Sequence, residues 1–430
     1  MTELETRDLL AQALADSRAD ATTAALAGVQ EASTRFANNA ITQNVAKTNV
    51  TLTVRAAFGN RVGVSQTNSL SPESVADAVR RSEEIARHAA PDTEYMPPVR
   101  PCSCGRVEAW DQAVADASPE TRARAIKEAI AVVEQSGLTA AGSYATESGF
   151  SAILNSCGHF AYHRETDARF VCTAMSPDSS GWASDGAFRL QDVAHLDAAR
   201  RAAQKAVAGR TPEPIDAEPS TVILEPAATA ELLEFVAWSL DAKAADEGRS
   251  AFSGRLGHRI AVPGVAITSD PMHDQCPATP FDADGTPLPK VEWVADGVLA
   301  NLSSSRFWAQ KTGRPYTGRP TNLLMAGTDR GLAKMIEDTP SGILVTRFWY
   351  IRFVDPMKLL LTGMTRDGLF RIRDGRVAGG LKNMRFNESP LRMFERITGI
   401  GQAQVVAGYG RGMAPPLRVD GFTFSSGTAF

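Results

Sequence analysis

Side chains able to bind a metal or attack a carbonyl are few in this chain, and their spacing is poor for either task. His159 and His163 in CGHFAYHRETD stand at i, i+4, which would chelate a metal on a helix. The surrounding Phe160, Tyr162, Phe170, Val171 and Cys172 instead favour a strand. On a strand the two rings would lie roughly 13 Å apart along one face. Cys102 and Cys104 in PCSCG are closer together than a C-x2-C knuckle, and His273 with Cys276 (HDQC) gives two donors in a Pro-rich loop. A metal site built from these residues would require His159, His163, His258 or His273 to converge in space. The sequence has no HExxxH, no G-x-S-x-G elbow and no P-loop. GYGRG at Gly408 to Gly412 has the glycines of a phosphate loop but follows VVA with no helix after it.

The second group with chemical potential is Arg347, Trp349, Tyr350 and Arg352 in TRFWYIRF. Strand alternation would put Arg347, Trp349, Ile351 and Phe353 on one face and Thr346, Phe348, Tyr350 and Arg352 on the other. Arg and Trp are the residues that anchor interfaces, and a free strand edge beside them would accept an extended peptide or a partner. The alternative is a central strand covered on both faces, its arginines paired with acids such as Asp355 or Glu388.

These groups must be positioned by the elements around them. After an N-terminal helix, residues 49–57 alternate, with Val50, Leu52, Val54 and Ala56 on one face. Gly59-Asn60 makes a hairpin turn and Arg61 to Thr67 returns as the partner strand. Ser71-Pro72-Glu73 starts a helix that runs to about His88 and buries Val75, Ala78, Val79, Ser82, Ile85 and Ala86. Pro91 to Gly105 is a proline-rich linker. Ser118-Pro119-Glu120 starts another helix, lined by Ile126, Ala129, Ile130 and Val133 and closed near Gly137.

Strands are expected over 139–147, 150–156 and 159–174, and an alanine-rich helix over 192–207. RTPEPIDAEP (residues 210–219) is the clearest boundary, because its prolines fit neither a helix interior nor a central strand. One helix follows over about 227–245. Five Asp-Gly pairs then suggest hairpins, at Asp284-Gly285, Asp296-Gly297, Asp367-Gly368, Asp374-Gly375 and Asp420-Gly421. The reading is an α+β chain. It comprises an N-terminal subdomain (1–90), a middle subdomain (91–209), a linker (210–219) and a mainly antiparallel, barrel-like β domain (220–430).

Composition limits the function. The chain has 430 residues, 43% hydrophobic and 22% charged, which is ordinary for a globular protein of two to three domains. With 45 Lys and Arg against 49 Asp and Glu, nothing favours a polyanion, so nucleic acid is not an expected partner. The acidic, helical start is unlike a secretion signal, no apolar run of about 18 residues could span a membrane, and five cysteines fit reduced thiols in the cytoplasm.

GILVTRFWYIRFVDP (342–356), LLLTGMTRDGLFRI (359–372) and NMRFNESP (383–390) resemble the C-terminal domain of the TldD/PmbA family of zinc peptidases, and weaker likeness covers RFANNAI, residues 35–87 and the middle segment. Catalytic members carry HExxxH on the first helix of that domain, followed at a fixed interval by F-S-G. Counting back from AFSG at Ala251 to Gly254 puts the motif on Leu233, Glu234 and Trp238: the acid remains, while leucine and tryptophan replace the histidines. The family's further cysteine ligand is also missing, since no cysteine follows Cys276.

The resemblance therefore implies a TldE-type subunit with no metal site and no catalytic residue of its own, Glu234 being the one retained position. It implies a TldD-like partner that holds HExxxH, zinc and the general base, and an unfolded peptide as substrate. The rival readings are a non-proteolytic interaction module, such as a gyrase modulator, and a stand-alone hydrolase with a relocated metal.

Overall fold

The computed structural model describes residues 1–407 and 412–427. Of the GYGRG segment, residues 408–411 lie outside the described residues.

The N-terminal half is one six-stranded antiparallel sheet in the order β3-β2-β1-β4-β5-β6. Its strands are β1 (Ala21–Ala37), β2 (Ala40–Phe58), β3 (Arg61–Thr67), β4 (Thr139–Asn155), β5 (Phe160–Met175) and β6 (Ser180–Ala187). The order reveals an internal repeat that the sequence does not advertise. Three strands flanked by helices Glu3–Ala15 and Pro72–His88 are followed by three flanked by Pro119–Glu134 and His195–Ala208. The two units join along β1 and β4, paired from Thr23 with Asn155 to Phe36 with Gly142. Residues 1–90 and 91–209 thus share one continuous sheet.

A glycine in the outer strand of each unit explains how closely the helices pack. A Cβ on Gly63 would sit 2.1 Å from the Ser82 carbonyl and 2.4 Å from the Ala86 nitrogen. One on Gly181 would sit 2.2 Å from the Ala202 carbonyl and 2.4 Å from the Ala206 nitrogen. Only the missing side chain lets the helix backbone rest on the strand.

Several expectations need correction. Residues 139–155 form one strand instead of two. β1 and the first half of β2 were not foreseen: β1 is alanine-rich, and residues 40–49 are exposed on both faces, so no alternation marks them. Asn38 and Asn39, at φ 52° and 59°, make the turn between these strands. Ile85 is 48% exposed, whereas Glu83 is buried in its place, accepting hydrogen bonds from the Arg18 backbone N–H and the Ser17 hydroxyl. The 192–207 helix begins only at His195, after a 3-10 turn.

The C-terminal half contains a closed five-stranded barrel. Pro219–Leu224, Leu417–Gly427, Met384–Glu388, Leu360–Arg373 and Ser341–Asp355 pair in that order, and the last returns to the first. The closing pair is parallel (Ile343 to Val345 against Val222 to Leu224), the other pairings antiparallel. Phe348, Phe386, Phe422 and Phe424 fill the barrel, with Phe348 and Phe386 centroids 4.6 Å apart. A second sheet of six short strands includes Leu323–Met325 and Gly412–Ala414.

The expected 227–245 helix is two, Pro226–Ser239 and Ala242–Asp246, because Asp241 starts the second by accepting the Ala244 N–H. Only Asp296-Gly297 and Asp374-Gly375 turn hairpins. Asp367-Gly368 lies within a barrel strand, Asp420-Gly421 sits where the register of another shifts, and Asp284-Gly285 lies in a loop.

Gly181→Val is expected to lower stability by about 1–3 kcal/mol by forcing helix and strand apart. Urea denaturation of the variant against the parent chain measures it, and an unchanged midpoint would show that the helix can lift without cost.

Candidate functional site

The helix Pro226–Ser239 shapes the site. Ala227, Ala230, Glu231, Glu234, Ala237 and Trp238 recur at helical spacing and share one face. Because three of the six are alanine, that face is recessed, and a cavity of about 620 Å³ opens above it. Trp182 of β6 and Arg347 of the barrel close one part of the cavity. Residues 319–323, Gly412 and Met413 of the second sheet region close another.

All three positions of the degenerate motif line this cavity. Leu233 is 3% exposed and packs into the core. Trp238 is 64% exposed at the rim, edge-on to Phe235 at 4.9 Å, and Phe235 in turn meets Phe353 at 5.1 Å. Neither side chain has a lone pair to give a metal. Among the described residues no three His, Cys, Asp or Glu side chains come together as a metal-binding group. Leucine and tryptophan at these positions do not fit the zinc that HExxxH holds in catalytic members of the resembled family.

Two carboxyls define the electrostatics. Burial raises the Glu234 pKa to about 7, and no partner among the described residues offsets it. Burial raises Glu231 further, to about 8, against the opposing pull of Arg347 and the Phe348 N–H. That N–H donates to Glu231 Oε2 at 2.6 Å, and Arg347 Nε stands 3.6 Å from Oε1. The desolvation of a carboxyl in an apolar recess outweighs a single long ion pair. Both groups hold protons well above the usual carboxylate range.

The residues singled out from sequence separate into two places. Arg347 lines the cavity, its guanidinium 4.5 Å over the Trp182 ring and 5.5 Å from that of Trp349. Its acidic neighbour is Glu231, not Asp355 or Glu388, which pair with Lys358 and Arg396. Trp349, Tyr350 and Arg352 lie outside the cavity lining. Tyr350, at φ 58°, sits where the register with the neighbouring strand shifts, so the expected alternation fails there. Arg366 covers Trp349 and Arg352 covers Tyr350, at 4.7 and 4.4 Å.

The remaining donors do not gather. His159 Nε2 lies 2.7 Å from the Gly285 carbonyl, and its Nδ1 accepts the Cys102 N–H at 3.4 Å. The thiols of Cys102 and Cys104 approach different ring nitrogens of His159, both at 3.9 Å, which no single metal could bridge. His163 is buried beside Glu165, His273 accepts the backbone N–H groups of Gln275 and Cys276, and His258 is exposed. Sequence reasoning missed Glu231 and Trp182. Glu231 had a signal, since it lies one turn before Glu234 on the alanine face; Trp182 had none.

Three family models match in succession. The PmbA/TldA metallopeptidase domain 1 covers residues 26–86, the central domain 110–210 and the C-terminal domain 217–426. The chain belongs to the PmbA/TldD family. A metalloprotease of Methanothermobacter thermautotrophicus is 27% identical over 287 residues, 60% of this chain and 61% of that protein's length. The metalloprotease PmbA of Escherichia coli O157:H7 is 22% identical over 310 residues, 67% of each chain.

Among solved structures, TldE from Thermococcus kodakarensis superposes with a TM-score of 0.89 at 16% identity, over 98% of this chain and 99% of that one. A Thermotoga maritima protein described as a proposed modulator of a DNA gyrase gives 0.87 at 18%, over 99% and 100%. At these identities the likeness is one of fold. No helix among the described residues is long and apolar enough to cross a membrane.

A carboxyl whose folded pKa exceeds its unfolded value stabilises the fold fully below about pH 4.5, and this stabilisation is lost as pH rises through the folded value, about 8 for Glu231. Glu231→Gln, which cannot ionise, should therefore gain on the parent chain between pH 5 and 8, on the order of a few kcal/mol. Denaturation midpoints at both pH values measure this. A constant difference would mean that Glu231 is ionised and paired with Arg347.

Proposed function

We propose that this chain is the non-catalytic, TldE-like subunit of a TldD/TldE-type zinc metallopeptidase that degrades or processes unfolded peptides in the cytoplasm. The observation that carries the reading is the pair Leu233 and Trp238 on the cavity-lining helix. A catalytic zinc needs about three protein ligands and an open position for water. With leucine and tryptophan at the two histidine positions, Glu234 has no metal-bound water to deprotonate. A partner carrying HExxxH supplies the metal and the general base, while this chain completes the enclosure and lines part of the peptide path.

The alternative, a non-proteolytic protein-interaction role, draws on the gyrase-modulator description carried by the Thermotoga maritima protein and by one from Bacteroides thetaiotaomicron. A net charge of −4 speaks against direct DNA contact in either case.

Zinc analysis of the chain purified alone should give close to no metal per chain. Co-expression with an HExxxH homologue should give a complex that contains zinc and digests an unfolded polypeptide in a chelator-sensitive way. About one zinc per isolated chain, or chelator-sensitive peptidase activity without a partner, would overturn the reading.

A further inference from the structure

Arg347 lines a cavity in which no metal-binding group is found among the described residues. Its side chain is 13% exposed, with the guanidinium carbon 4.5 Å from the Trp182 ring centroid and 5.5 Å from that of Trp349. Its Nε is used locally, 3.4 Å from the Phe348 carbonyl and 3.6 Å from Glu231. Neither terminal nitrogen has a hydrogen-bond partner among the described residues. A mostly buried guanidinium with its fork unfilled invites an anion with two parallel oxygens.

We infer that the cavity binds the terminal carboxylate of a short peptide, with the Arg347 fork as its receptor. Glu231 cannot satisfy the fork, because it approaches from the Nε side and is committed to the Phe348 N–H at 2.6 Å. Arg319, exposed at the mouth, adds a second positive charge. Asp241 also lines the space, and Glu231 and Glu234 ionise as pH rises through about 8 and 7, so a phosphate dianion meets more repulsion there than a carboxylate with one charge. Asp241 is already turned to its own helix by the Ala244 N–H. Glu234, unpartnered and raised to about 7, can accept an N–H of the peptide or donate its proton to a carbonyl.

The walls suit the remainder of such a ligand. Leu233, Ala230, Ala237 and Met413 make an apolar surface for a side chain, and about 620 Å³ lies in the range of roughly 300–1,000 Å³ that encloses small ligands. The choice of a peptide rests on the reading of the chain as a peptidase subunit; the carboxylate itself is read from Arg347.

The test uses the chain alone, without partner or zinc, so its outcome is independent of whether a complex forms. Calorimetric titration compares acetyl-Ala-Leu as free acid with its C-terminal amide, with inorganic phosphate as a third probe. The free acid should bind roughly tenfold or more tightly than the amide, the difference a charge-assisted hydrogen bond makes. Phosphate should not compete. Arg347→Met should abolish the preference for the acid, and Arg347→Lys, which keeps charge and fold but not the planar fork, should retain part of it. Equal binding of acid and amide, no binding of either up to millimolar concentration, or displacement of the acid by phosphate would each overturn the inference.

Discussion

The cavity depends on one buried ion pair. Lys205, on the helix His195–Ala208 behind the N-terminal sheet, donates to Glu225 Oε2 at 2.6 Å, and Glu225 immediately precedes the cavity-lining helix. Lys205 also donates to the Trp182 carbonyl at 3.2 Å, and the Thr346 hydroxyl donates to Glu225 Oε1 at 3.3 Å. One contact thus ties together the edge strand of the first half, the start of the helix and the barrel strand that bears Arg347. Burial pulls the Lys205 pKa down, and Glu225 alone among its acidic neighbours opposes this. Breaking such a pair strands a charge out of water, costing about 3–5 kcal/mol in comparable settings. The tie also fixes geometry: Trp182 and Arg347 come together because the Trp182 carbonyl is held by Lys205 and the hydroxyl of Thr346, the residue before Arg347, by its partner Glu225.

Around that junction the two halves are built differently. The N-terminal sheet grows by repetition of a three-strand unit and stays open, with helices laid against it through Gly63 and Gly181. The C-terminal barrel closes through a parallel pair and fills its interior with phenylalanines, which leaves no unpaired edge where Ile343 to Val345 meet Val222 to Leu224. The cavity lies where the rigid barrel, the repeat and the second sheet meet, a common location for binding sites.

The sequence was most legible where local chemistry dominates. The caps at Ser71 and Ser118 start helices at Pro72 and Pro119, as their hydroxyls and prolines require. The barrel-like end of the chain was read from its strand-and-turn texture, although only two of the five Asp-Gly pairs turn hairpins. It was least legible where tertiary contact decides. β1 is a strand because β2 and β4 flank it, not because ATTAALAGVQ prefers extension. The bulge at Tyr350 undid a face assignment that strict alternation would have kept, since one residue of slip exchanges the two faces. In the site, the motif positions could be counted from AFSG, but Trp182 arrives from some fifty residues away through the Lys205 contact, and no spacing rule reaches that far.

The protonation of Glu234 follows from what stands beside it. A divalent cation within a few ångströms of a carboxyl holds it ionised, as does a good ion pair. Glu234 has neither; its neighbours on the helix face are alanines, an exposed indole and the carboxyl of Glu231, and desolvation raises its pKa to about 7. Leucine at 233 and tryptophan at 238 put no positive charge beside the acid to hold it ionised. Glu231 is pushed the same way and only partly restrained by Arg347. With Glu231 and Glu234 both pushed toward the neutral form, Arg347, with Arg319 in the same lining, gives the recess a positive side that suits a single negative charge.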